Sequence, residues 1–180
     1  MKNNKKLIII LLYPYLYMIG IAIVLALSAL DISFDAVSFM LVLAFIVNVA
    51  VIAVTVINLI QAFAGKHRSV DLAGANMIIK LAHIPAYVIH FLLGCIAIFM
   101  SVWGIGFIIW SIVIDLVTII FSGLVGASAA ISASKEKTLQ NSDPVKYAIL
   151  SFIYCLDVIF AVIYNLKIKK ATQAQGEMVL

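Results

Sequence analysis

The sequence predicts an all-α fold: a polytopic bundle of transmembrane helices with a cytoplasmic N-terminus. Three observations lead there. Hydrophobic residues make up 66% of the chain and charged residues 11%, with a mean hydropathy of +1.22, whereas water-soluble domains run at roughly 45–50% apolar and about 25% charged. Apolar stretches recur at the length of roughly 20 residues that crosses about 30 Å of hydrocarbon. Lys and Arg gather in small groups at the ends of those stretches, as topology signals do.

Five segments of the 180 residues qualify as spans: Leu7 to Leu30, Ala36 to Ala62, Met77 to Ser101, Phe107 to Ala133, and Tyr147 to Leu166. The intervening polar stretches are too short for a soluble unit, so residues 1–180 read as a single integral membrane domain. The first segment is longer and more evenly apolar than a signal-peptide core of about 7–15 residues, and is expected to remain in place. The second carries Asn48, Thr55 and Asn58 on one side, suited to hydrogen bonds between helices. The third is interrupted by Pro85, as the first is by Pro14, and each proline removes one intrahelical hydrogen bond. Asp115 shares a face of the fourth with Ser111 and Thr118, while Ser122, Gly126, Ala130 and Ser134 repeat at intervals that let backbones approach closely. The fifth is the shortest and holds Asp157 near its centre. Its start is nevertheless well marked, with Asp143 as cap and Pro144 in the first helical position.

With the N-terminus inside, Lys2, Lys5, Lys6, Lys66, Arg68, Lys80, Lys135, Lys137 and Lys146 are cytoplasmic, nine of the twelve Lys and Arg. Asp31 and Asp35 then lie in the first outer loop, and Val102 to Gly106 form the second. The assignment has one defect: five crossings export Lys167, Lys169 and Lys170. Four crossings, with the last segment not passing through, remove it. Trp103 and Trp110 near the outer boundary, and Tyr13, Tyr15 and Tyr17 near the inner one, fit aromatic belts.

The candidate site lies on the third segment. Lys80, His83, Tyr87, His90, Gly94 and Ser101 fall within about 60° of one another at 100° per residue, giving an apolar helix one side that should avoid lipid. His90, Asp115 and Asp157 have depths that agree to within roughly 5 Å if all five segments cross. Converged, they form a carboxylate–imidazole layer of the kind used in proton relays and cation sites. Lys80 is close enough to the cytoplasmic edge to snorkel, or to end an inward route from His90 through His83. Asn48, Asn58, Thr118 and Tyr154 are the supporting residues, the last as a hydroxyl able to donate to Asp157.

Several classes are disfavoured. Cys95 and Cys155 lack CxxC spacing and read as small buried hydrophobes within spans. His67 between Lys66 and Arg68 reads as a basic lipid contact rather than a general base. Nucleic acid is not expected as a partner, because the net charge of +4 is spread over span ends. No metal-protease, phosphate-loop or nucleophile-elbow pattern occurs, and no cofactor is called for. The expectation is a multi-pass cell-membrane protein that is not an enzyme, a helix-bundle scaffold or accessory subunit. Its partners are the lipid bilayer and a second copy or another membrane protein, with the small-residue face of the fourth segment as one contact. The alternatives are a proton- or cation-linked permease or channel using the His/Asp layer, and an intramembrane enzyme in which Asp115 and Asp157 share a proton.

Overall fold

Hydropathy alone places four long helices, and the computed structural model contains them. It describes residues 5–139 and 143–177, with the side chains of Trp103 and of residues 175–177 left aside. The parts anticipated for Lys2 and for the Trp103 ring therefore lie outside what is described. The chain runs through α1 (Ile8–Ala29), α2 (Ala36–Phe63), α3 (Ser69–Ala97), α4 (Ser101–Lys135), α5 (Asp143–Leu150) and α6 (Leu156–Glu177), with no strand among the described residues. Four stretches are long and apolar enough to cross a bilayer: Lys5–Ala29, Ala36–Phe63, Ser69–Met100 and Gly104–Lys135.

The fifth predicted span is not a single helix. It breaks at residues 151–155, where Cys155 takes a left-handed backbone with φ 65°. α5 and α6 fold back on each other as a hairpin, with the Tyr147 ring 4.5 Å from that of Tyr164 and Lys167 paired with Asp143 at the hairpin's open end. From Asp157 to Lys167 the helix rises about 15 Å, half a hydrocarbon thickness. In place of a fifth continuous span, the described residues hold four helices long and apolar enough to cross and one hairpin.

One end of the bundle gathers the basic residues. Lys6 of the first turn and His67 of the α2–α3 loop both reach the Gln61 amide oxygen, Lys135 caps the end of α2 through the Phe63 carbonyl, and Glu136 accepts from the Ser69 backbone N–H at 3.0 Å to start α3. At the opposite end the Asp35 carboxylate caps α2, accepting from the Ser38 N–H at 3.0 Å and its hydroxyl at 2.6 Å. That hydroxyl holds the Asp35 carboxyl below the usual carboxylate range. The α3–α4 corner is tight: Ser101 has φ 55°, and a Cβ at Gly104 would run into the Ala97 carbonyl.

Burial is concentrated toward the basic end. The last buried residue of α1 is Gly20 and the first of α2 is Val47. Tyr13 and Tyr17 are core residues rather than belt residues: the Tyr13 hydroxyl donates to Asn48 Oδ1 at 3.1 Å, and Asn48 Nδ2 donates to the Tyr17 oxygen at 2.7 Å. Trp110 turns inward against Tyr17 and His90. Cys95 and Cys155, expected inside, are both exposed.

Candidate functional site

Proline chemistry sets the position of α3 against α1. Pro14 has no N–H to give the carbonyl four residues earlier, that of Ile10, and this carbonyl accepts instead from His83 Nε2 at 3.1 Å. In return the Tyr15 hydroxyl donates to the Ala82 carbonyl, in the turn of α3 that precedes Pro85. A carbonyl only accepts, so His83 carries its proton on Nε2. Its Nδ1 is buried without a partner. His83 therefore joins α3 to α1.

One turn nearer the basic end, Lys80 is wholly buried and does not snorkel. Its Nζ donates to Asp157 Oδ2 at 2.6 Å and to the Ser151 carbonyl at 3.0 Å. Both partners belong to the hairpin tip. The break in the last segment thus has a physical cause: it presents the carbonyl end of α5 to a cation and the N-terminal turn of α6 to a carboxylate, the favourable sign at each. The tip seats on α4 where side chains are absent. A Cβ at Gly123 would lie 2.6 Å from the Phe152 ring, and one at Gly126 would lie 2.9 Å from Ser151 Cβ. Part of the small-residue face anticipated for contact between copies is therefore filled within the chain.

Toward the other end, His90 Nδ1 lies 2.5 Å from Asp115 Oδ1 and joins α3 to α4. His90 Nε2 is buried without a partner. The predicted single layer is in fact two pairs, His90 with Asp115 and Lys80 with Asp157, separated by ten residues of α3, about 15 Å. Asp115 and Asp157 do not share a proton, since each is engaged by a different base. Between the pairs stand Tyr87 and Tyr154, with ring centroids 5.5 Å apart. The Tyr154 hydroxyl makes no bond to Asp157, whose Oδ1 is unpartnered, and the Tyr87 hydroxyl is likewise buried and free. Ser101 leaves the stripe altogether as the first residue of α4.

The supporting residues divide. Asn48 bridges α1 and α2, Thr118 Oγ1 bonds the Ile114 carbonyl of its own helix at 2.7 Å, and both amide atoms of Asn58 are buried without a partner. Sequence reasoning missed Ser151 and named Ser111 only as sharing a face with Asp115. Ser111 is 4% exposed with an unpartnered hydroxyl; its one signal was its place a helical turn before Asp115. Among the described residues no three His, Cys, Asp or Glu side chains converge as metal ligands would.

A family model matches residues 3–170. The chain belongs to the family of unknown function DUF6652. No curated protein and no solved structure matches this DUF6652 chain. What can be said of the DUF6652 site therefore rests on its own geometry: a buried Lys80–Asp157 ion pair and a His90–Asp115 contact that fasten three elements to α3, and an unpartnered imidazole nitrogen beside the latter.

Proposed function

We propose that this chain is a non-enzymatic, multi-pass cell-membrane bundle, a scaffold or accessory subunit whose buried polar groups hold its helices in register for a membrane partner. The observation that carries this reading is the use of Lys80. A wholly buried lysine within a span is expensive, and here its bonds go to the tip of one hairpin. His83 and Asn48 are spent in the same manner, on neighbouring helices.

A second reading, a proton- or cation-linked permease, draws on the His90–Asp115 pair with its unpartnered Nε2 and on the two tyrosines leading toward Asp157. Flux through proteoliposomes separates the two. Under a proton gradient or a voltage, purified wild type is expected to leak no faster than empty vesicles, and Asp115→Asn to change nothing but stability on size exclusion. Flux in the wild type that disappears in a folded Asp115→Asn protein would put the permease first.

A further inference from the structure

Two cavities adjoin on the lipid-facing side of α3, sharing Phe91 and Tyr154 as common walls. One, of about 410 Å³, has His90, Ser111 and Asp115 at its floor; the other, of about 350 Å³, reaches Asp157. Each falls in the range of about 300–1,000 Å³ typical of small-molecule sites. The rim is hydrocarbon, with Phe91 69% and Ile98 68% exposed. The floor is polar and unsatisfied: His90 Nε2, the Ser111 hydroxyl and Asp157 Oδ1 are buried without partners. Lipid tails cannot satisfy these atoms, and a buried polar atom left unpaired is costly.

We infer that this groove binds a membrane-dissolved amphiphile with a single hydrocarbon chain and a protonated amine head. Asp115 lines the larger cavity with its side chain 14% exposed, and Asp157 Oδ1 is unpartnered at the smaller, so carboxylate oxygens accept and the ligand must donate. No Lys or Arg lines either cavity, whereas Asp115 lines one and Asp157 the other. A cationic donor therefore complements them. The occupant is slender rather than a helix of about 10–12 Å diameter, because the acceptors lie at the bottom of the groove, with His90 2% exposed beneath the projecting Phe91. Gly94 contributes to this shape: it lines the larger cavity, and the position a Cβ would take has nothing within 4 Å.

The test uses a long-chain primary amine with a photoactivatable diazirine in its tail, added to the full chain in phosphatidylcholine nanodiscs, with labelled peptides mapped by mass spectrometry. Saturable labelling of α3 and α4 around Gly94 is expected, competed by unlabelled amine but not by the alkane or fatty acid of equal length. Asp115→Asn should weaken labelling about tenfold, the worth of one hydrogen bond to a charged group. Should that variant fail to fold, Gly94→Phe decides, because it fills the hollow and leaves every polar group in place; it is expected to abolish labelling. Labelling that does not saturate, that the alkane competes equally, or that persists in folded Gly94→Phe overturns the inference. So does a copurifying polypeptide cross-linked along the groove in place of the probe.

Discussion

Lys80 and Asp157 illustrate how a charge is tolerated in hydrocarbon. Their mutual attraction offsets the loss of water only because the ammonium also finds the Ser151 carbonyl and the carboxylate sits in the first turn of α6. Removing one partner leaves the other buried and alone. Lys80→Met or Asp157→Leu is expected to cost about 3–5 kcal/mol in detergent unfolding, and the double variant to recover most of that loss. Neither residue announced this pairing in the sequence. Lys80 stands where a lysine ordinarily snorkels, and Asp157 has the depth of His90 only if the last segment is a straight helix.

His67 gives the one clear pH effect outside the spans. Burial, and then the Lys6 ammonium at the same Gln61 amide, push its pKa below the ordinary value of 6.5, against a weaker pull upward from Asp71. The unfolded chain thus takes up the proton at higher pH than the folded one. The stabilisation is present above pH 6.5 and is lost as pH falls through the lower, folded value. The unfolding midpoint is expected to drop between about pH 7.5 and about pH 5, and to drop less in His67→Gln.

Among the elements, α1 to α4 were legible because each is a long uninterrupted apolar run, a property local in sequence. The α5–α6 hairpin was not, since residues 147–166 contain neither Pro nor Gly to mark a break. The signals that did exist were indirect: three lysines, Lys167, Lys169 and Lys170, on the wrong side for five crossings, and an aspartate at mid-span. What resolves them is tertiary, the seat on Gly123 and Gly126 and the bond to Lys80. Gly126→Leu, which drives into Ser151, is expected to cost about 1–3 kcal/mol and to speed amide exchange in residues 147–157. Gly94→Ala, with open space above it, is expected to do neither. The site was legible in part: the His90–Asp115 pair follows from depth and facing, whereas the bond from His83 to Ile10 depends on a carbonyl released by a proline on another helix.

For the whole molecule, the hairpin reorders topology. The ion pair between Lys167 and Asp143 brings α6 back to the end where α5 begins, beside the loops of Lys66 and Lys135. The positive-inside pattern then has no exception beyond buried Lys80. In a Cys95→Ala, Cys155→Gly background, Gln173→Cys and Lys66→Cys are expected to react with an impermeant maleimide from the same face of sealed vesicles, and Asp31→Cys from the other. Labelling of Gln173→Cys together with Asp31→Cys would restore the fifth crossing.

A charge buried on α3 with its counter-charge on α6 also imposes an order on biogenesis. α3 is synthesised more than fifty residues ahead of the hairpin tip, so Lys80 passes through the translocon with no carboxylate of α6 yet made. On insertion scales a lone lysine costs up to about 2.5–3.5 kcal/mol, the value at a helix centre. The apolar remainder of the Ser69–Met100 stretch, with mean hydropathy 1.9 in its best window, must carry that cost alone. The Lys80–Asp157 pair can close only after the hairpin tip has been made, so Asp157→Leu is expected to lower the yield of inserted protein and Lys80→Met to restore it.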